Sequence, residues 1–161
     1  MNAIGPGPTS NDRLILTARW VVGGLFLYTG LMKALHPDDF LRLLREYDMV
    51  RQPLLMNGIA ATLPWFEVIC GLLLCLGVAV RGTALVSVLM LVLFTGLVLH
   101  RALALQAATG TPFCAIRFDC GCGTGEVVIC HKLVENTLLT LAGVILVGAR
   151  STYGALRHRV F

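Results

Sequence analysis

Four of the six cysteines of this chain crowd into one stretch, at positions 114, 120, 122 and 130. Two cysteines separated by one residue can close a disulfide ring only if the backbone between them bends, and Gly121 permits that bend. Such a ring is strained and therefore easily reduced, which suits it to passing oxidation to another protein. We therefore take Cys120 and Cys122 as the candidate catalytic pair. Cys114 and Cys130 are resolving partners or an auxiliary, structural disulfide, and three pairings among the four cysteines remain open.

Metal binding is the competing interpretation of the same stretch. The thiolates and the adjacent His131 offer enough soft ligands for tetrahedral zinc or an iron–sulfur centre. The spacing matches neither kind of site well, because the chain lacks the two CxxC pairs that are typical of such sites. We therefore rank a bound metal below redox chemistry and below purely structural disulfides, and we predict no cofactor. A quinone within the helices is an open alternative without a sequence signature.

The composition of the rest of the chain indicates that these thiols belong to a membrane protein. Of its 161 residues, 57% are hydrophobic and only 14% are charged. A soluble domain of this length carries far more charge, so the composition predicts an integral membrane protein that contacts lipid. The net charge of +4 is small and its basic residues are scattered, so nucleic acid is not an expected partner.

Four apolar segments predict the membrane-spanning elements. Each approaches the ~20 residues needed to cross a bilayer, and a span in lipid must be helical to satisfy its backbone polar groups. The expected fold is therefore an all-α, four-helix membrane bundle over residues 13–150. It lies between a flexible tail, residues 1–12, and a basic carboxyl-terminal tail, residues 151–161. The predicted spans are residues 14–35, 59–80, 82–105 and 133–149.

The segment between the first two spans, residues 36–53, has its own periodicity. Phe40, Leu43, Leu44, Tyr47 and Val50 recur at helical spacing, with charged residues between them. This pattern predicts an amphipathic helix lying in the membrane interface. A helix packed on the bundle would show the same pattern.

In a four-span bundle, the cysteine stretch shares one membrane face with a cluster of polar residues: Lys33, Glu67, His100 and Arg101. Glu67 should lie within the membrane, where an acid needs a partner, and Lys33 is the expected one. His100 is expected to cap the carboxyl end of the third helix. The basic members of the cluster could lower the pKa of a nearby thiol. Arg19, on the opposite face, is expected to snorkel toward water.

The orientation in the membrane rests on the cysteines. Positive residues are not concentrated on either side of the predicted bundle, so the positive-inside rule does not decide it. Clustered thiols that work as a disulfide system belong in an oxidising compartment. We therefore expect the cysteine stretch outside the cytoplasm and both termini inside it.

Three motifs give the chain a resemblance to a known family. Gly30-Leu31-Met32-Lys33 closes the first span, Leu63-Pro64-Trp65-Phe66-Glu67 opens the second, and Asp119-Cys120-Gly121-Cys122-Gly123 precedes the fourth, which contains Asn136. Together they resemble the MauE/DoxX group of redox-associated membrane proteins, from about residue 14 to residue 148. MauE-type members usually have Cys-Gly-Cys-Phe-Gly, whereas this chain continues with Gly123-Thr124-Gly125.

The resemblance implies a four-helix protein of the bacterial inner membrane that works with a thioredoxin-like partner. The namesake forms disulfides in the small subunit of methylamine dehydrogenase, and DoxX-like relatives are linked to quinol oxidation or sulfur metabolism. The expected chemistry is thiol–disulfide exchange at Cys120 and Cys122. The alternative is a non-catalytic accessory subunit of a larger membrane complex, with a disulfide-stapled loop. A transporter is a weaker third, because few polar residues reach mid-membrane.

Overall fold

The computed structural model describes residues 9–47, 52–121 and 125–149. In this part of the chain the helices are α1 (Ser10–Leu35), α2 (Pro37–Glu46), α3 (Pro53–Leu76), α4 (Val80–Thr109) and α5 (Ile129–Gly148). Four of them, α1, α3, α4 and α5, are long and apolar enough to cross a membrane. The predicted all-α, four-helix membrane bundle is confirmed.

A small structure that the sequence analysis did not predict lies between α4 and α5. It begins with a short 3-10 helix, Phe113–Ala115. Two antiparallel strands follow, β1 (Arg117–Asp119) and β2 (Glu126–Val128), with Phe118 opposite Val127. The cysteine stretch therefore forms a β-hairpin rather than an irregular loop.

The helix ends differ from the predicted spans because local capping decides them. α3 begins at Pro53 rather than at residue 59, since proline is well suited to the first turn of a helix. It ends at Leu76 and is capped by Gly77, whose φ of 74° is left-handed, and α4 ends at Thr109 and is capped by Gly110, with a φ of 67°. At the start of α1, Thr9 and Asp12 form a capping box, so residues 10–12 are helical.

Two expectations about single polar residues are wrong. His100 does not cap a helix end, because α4 continues to Thr109, and the His100 side chain is exposed. Arg19 does not snorkel to water, because its residue is only 1% exposed. Its guanidinium donates instead to the carbonyl oxygens of Leu74, at 3.0 Å, and Cys75, at 3.2 Å, near the end of α3.

Glycines bring α1 and α3 into close contact. A Cβ atom on Gly71 would lie 2.6 Å from the backbone nitrogen of Leu27, and one on Gly30 would lie 2.8 Å from the carbonyl oxygen of Pro64. Distances this short leave no room for a side chain, so the two backbones approach one another as small residues allow in membrane helices. Gly24, on another face of α1, has nothing within 4 Å of such an atom.

The bundle contains two apolar clusters. The first joins α1, α3, α4 and α5 through residues such as Val22, Leu74 and Leu146. The second joins the hairpin to the helices below it: Val98, Ala102, Ile116, Cys120 and Ile129. The second cluster fixes the hairpin against the carboxyl-terminal half of α4 and the start of α5.

The predicted amphipathic helix is present as α2. Phe40 is buried, whereas Asp38 and Asp39 in its first turn and Arg45 in its last are exposed. Acids at the amino end and a base at the carboxyl end complement the helix dipole. α2 therefore packs on the bundle through its apolar side. Val50, the last residue of the predicted pattern, lies outside the described residues.

Candidate functional site

The cysteine hairpin is closed at its base by a disulfide. Cys114, in the 3-10 helix, is bonded to Cys130, in the first turn of α5, with 5.1 Å between their Cα atoms. The backbone N–H of Ile129 donates to the carbonyl oxygen of Ile116 at 3.2 Å just inside this bond. The disulfide and the strand pairing hold both ends of the hairpin against the bundle.

Cys120 lies at the end of β1 and is also disulfide-bonded. It is 1% exposed, within the apolar cluster under the hairpin. The next residue, Gly121, has a φ of 74°, a left-handed conformation that favours glycine. Its backbone N–H donates to Asp119 Oδ1 at 2.9 Å, which stabilises the turn. The chain bends at Gly121 as predicted, while Cys122 itself lies outside the described residues.

A charged cavity of about 710 Å³ lies between this turn and α2. Asp119, Gly121 and Arg101 form part of one wall, and Phe40 and Lys33 lie opposite, on α2 and α1. Among the described residues, its lining holds the imidazole of His36 and equal numbers of lysine or arginine side chains and carboxylates: Lys33, Arg42, Arg101 and Arg117, and Asp39, Glu46, Asp119 and Glu126. The turn that carries Cys120 therefore borders a polar space with charges of both signs.

Lys33 and Glu67 form the predicted ion pair. Lys33 Nζ donates to both carboxylate oxygens of Glu67, at 2.6 and 2.7 Å, and both residues are buried. Helical side chains lean toward the amino end of their helix, and α1 and α3 run in opposite directions, so the two side chains lean toward each other. The Lys33 ammonium also lies 5.5 Å from the centre of the Phe40 ring and 5.6 Å from that of Phe94.

A second, mostly apolar cavity of about 330 Å³ lies among α1, α3, α4 and α5. Lys33 and Glu67 line it, as does a second ion pair, in which Lys132 Nζ lies 3.1 Å from Glu135 Oε2. Asn136, which is 2% exposed, lines it as well and donates to a hydroxyl of α4 at 3.1 Å. Lys33 belongs to the linings of both cavities.

A comparison of the sequence with models of protein families identifies the family of this chain. A sequence model described as "Methylamine utilisation protein MauE" matches residues 11–149, which includes nearly all of the bundle and the whole hairpin. The chain belongs to the MauE family. The resemblance inferred from its motifs is thereby confirmed. Searches of curated proteins and of solved structures found no match.

The motifs of this MauE-family protein now have structural roles. Gly30 is the close contact that lets α1 approach α3, and Lys33 follows it by one turn. Pro64 supplies the carbonyl that faces Gly30, and Glu67 follows Pro64 by one turn. The Gly-x-x-Lys and Pro-x-x-Glu elements are therefore two sides of one contact, with the backbones touching and the charged ends meeting beside it.

Tyr47, at the end of α2, is a feature of this MauE-family site that sequence reasoning did not single out. Its hydroxyl is buried and has no hydrogen-bond partner among the described residues. Burial raises the pKa of the Tyr47 phenol to about 12, although Arg101 acts to lower it, while Asp119 and Glu46 reinforce the rise. The phenol is therefore a neutral group close to the charged cavity.

The structure brings some of the predicted residues together and separates others. Lys33, Arg101 and the turn after Cys120 share the charged cavity, whereas His100 is exposed and does not line it. No group of three or more His, Cys, Asp or Glu residues that could hold a metal is found among residues 9–47, 52–121 and 125–149. Sequence reasoning did not single out Lys132, and nothing in its local sequence pattern indicates that it is buried.

Proposed function

We propose that this MauE-family protein exchanges disulfides with a partner protein through Cys120 and Cys122. The observation that carries the proposal is that Cys120 is already oxidised in a disulfide, at the turn of a hairpin that a separate disulfide braces. Cys114 and Cys130 are bonded to each other, and Cys70 and Cys75 are free thiols. None of these four is the partner of Cys120, and we propose Cys122 for that role.

The proposed exchange begins on Cys122. Cys120 is 1% exposed, so a partner reaches its sulfur poorly. A partner thiolate attacks Cys122, releasing Cys120 as a thiol and forming a mixed disulfide. The second thiol of the partner then attacks the partner's first sulfur, the one bonded to Cys122, and releases Cys122 as a thiol. The partner leaves with a disulfide, and Cys120 and Cys122 keep the two electrons and two protons as a pair of thiols.

The surroundings of the turn support this role. Cys120 is held by the apolar cluster and by the Cys114–Cys130 brace, so its sulfur stays in place when its redox state changes. The adjoining cavity carries basic side chains, Arg101 among them, and an equal number of carboxylates, so charged groups of both signs lie beside the turn. The cavity gives a polar segment of the partner a place beside the turn.

The partner is proposed to be a thioredoxin-like protein, and the hairpin is proposed to face away from the cytoplasm of a bacterial inner membrane. Four membrane-spanning helices put both ends of the bundle on the side opposite the hairpin. An oxidising compartment would keep both disulfides of the hairpin formed. Alkylation of single exposed cysteines with a membrane-impermeant reagent in intact cells tests this orientation.

Trapping tests the exchange and its asymmetry. Purified variants are mixed with oxidised thioredoxin as the disulfide probe, so that a free hairpin thiol can attack it in the reverse of the proposed step, and are then quenched with acid, alkylated and mapped by mass spectrometry. Cys120→Ser should accumulate a mixed disulfide at Cys122, because Cys120 is no longer present to resolve it. Cys122→Ser should accumulate little, because Cys120 is buried. Cys75→Ser, in the second span, is the control and should leave the wild-type behaviour unchanged.

The Cys114–Cys130 disulfide favours one alternative, an accessory subunit whose stapled hairpin takes part in assembly without turnover. In that case neither serine variant traps a thiol partner. Loss of the hairpin cysteines would instead lower the amount of an assembled membrane complex, read by native electrophoresis. A Cys120 disulfide that resists mild reductant in native membranes would also contradict the exchange proposal.

A further inference from the structure

We propose that the apolar cavity binds a membrane quinone, a flat ring with carbonyl oxygens that carries an isoprenoid tail. The cavity has the size of a small-molecule site, since such sites hold about 300–1,000 Å³ and this one holds about 330 Å³. It is also lined as such sites are, mainly by apolar side chains with a few polar groups gathered together.

The two ammonium groups of the cavity lie toward the hairpin. Lys33 is in the last turn of α1 and Lys132 is in the first turn of α5, so both are close to the hairpin. Leu25 and Leu139 line the cavity about 10–12 Å further from the hairpin than these lysines, by the 1.5 Å rise per residue. A ligand that fits this lining has a hydrogen-bonding head toward the hairpin and an apolar tail toward the middle of the membrane.

The charge of the polar end selects the kind of head. Lys33 is paired with Glu67, and Lys132 with Glu135, so the basic and acidic residues that line the cavity balance. The carboxylate of a fatty acid or the phosphate of a phospholipid would add an uncompensated charge to a buried site, which is costly. A quinone carbonyl is neutral and accepts hydrogen bonds from ammonium or amide N–H groups such as those of Lys132 and Asn136.

The cavity also opens toward lipid. Leu93 and Leu97 of α4 both line it, yet they are 70% and 37% exposed on the outside of the bundle. On α3, Ile59 and Leu63 line the cavity and are half-buried. A hydrophobic molecule dissolved in the bilayer can therefore reach the cavity from the side, between α3 and α4.

The electron-accepting role of this ligand rests on the proposed thiol chemistry, whereas its binding does not. Reduced Cys120 and Cys122 would lose two electrons and two protons to become a disulfide, and the quinone would take up both to become a quinol. Lys33 lines the charged cavity beside the hairpin as well as the apolar cavity. The Lys33–Glu67 pair is therefore placed to pass protons between the two.

Binding is tested with decylubiquinone on the full-length protein in lipid nanodiscs. Wild type is expected to bind one quinone per chain saturably, and stearate is expected to compete at least tenfold more weakly. Leu63→Trp, which fills the cavity, should weaken quinone binding at least tenfold. Leu72→Trp, on the lipid-exposed side of the same helix, should leave it unchanged. An azidoquinone should photolabel wild type within residues 90–97 of α4, which gives the same answer if Leu63→Trp fails to fold.

Absence of saturable binding in wild type would overturn the proposal, as would labelling confined to the outer surface of the bundle. Stearate binding as tightly as the quinone would also overturn it, in favour of an acyl chain. The double variant Cys120→Ser/Cys122→Ser should bind decylubiquinone as wild type does. Failure of thiol exchange therefore leaves this binding intact, and failure of quinone binding leaves partner trapping intact.

Discussion

The buried Lys33–Glu67 pair allows the sharpest test of how the bundle is held together. Lys33→Met leaves the Glu67 carboxylate without its partner, and Glu67→Gln does the same to the Lys33 ammonium. Breaking a buried, hydrogen-bonded ion pair from one side destabilises a protein by about 3–5 kcal/mol, because a charge is left desolvated and uncompensated. We expect each single variant to lose stability in that range.

The double variant Lys33→Met/Glu67→Gln removes both charges at once. It should recover most of the loss and stay within about 2 kcal/mol of wild type, since replacing both members of a buried pair is often nearly neutral. The free energy of unfolding is measured in mixed detergent micelles, with a maleimide dye reporting exposure of the free thiols Cys70 and Cys75. The difference between the double variant and the sum of the single variants gives the coupling energy.

A matched control exists on α2. Arg42 Nε lies 3.3 Å from Glu46 Oε1, and both side chains are exposed. Glu46→Gln should therefore change stability by no more than about 0.5 kcal/mol, as for other exposed pairs on helices. If Glu67→Gln has an effect as small as Glu46→Gln, or if the Lys33 and Glu67 variants are additive, water from the charged cavity solvates the pair and the reasoning fails.

Three further predictions concern the free energy of unfolding. The first two use the same assay, and the third follows unfolding by circular dichroism, because maleimides hydrolyse at alkaline pH. Gly71→Ala should destabilise by about 1–3 kcal/mol, since its Cβ would overlap the α1 backbone, whereas Gly24→Ala should be neutral or slightly stabilising; equal effects would contradict the close packing. Cys114→Ser/Cys130→Ser should lower stability by about 2–4 kcal/mol through loss of the disulfide, and an unchanged midpoint would show that the hairpin needs no brace. Tyr47 should make wild type lose stability as the pH rises from about 10 to about 12, because the folded state holds the phenol neutral where the unfolded chain ionises it; Tyr47→Phe should lack that loss, and identical pH profiles would refute the burial.

The sequence was sufficient for the bundle and for its central ion pair. Long uncharged runs must be helices in lipid, and an acid at the depth of Glu67 needs a base such as Lys33. The helix ends are less predictable. The apolar run fades near His100 and predicts a helix end there, whereas α4 continues to Thr109. A cap depends on local conformation at one residue, which hydrophobicity does not report.

The hairpin could not be predicted from the sequence, for a different reason. Its strands have three residues each, which is too short for an alternating pattern of apolar and polar residues to be recognised. They form because Ile116 and Ile129 are buried on the helix ends and because Cys114 bonds to Cys130. These are contacts between distant positions, and the spacing of four cysteines is compatible with several of them.

The position of Arg19 has a consequence for the membrane itself. A helix that ends in hydrocarbon leaves its last carbonyl oxygens without partners, and Arg19 provides donors to two of those of α3. The turn between α3 and α4 can therefore stay inside the bilayer instead of reaching the headgroups. From Arg19 to the end of α1 the helix rises roughly 24 Å, less than the ~30 Å of a typical hydrocarbon core. With the hairpin end of α1 at one membrane surface, the Arg19 contact therefore lies below the opposite headgroups, at a depth where its two carbonyl partners would find no water.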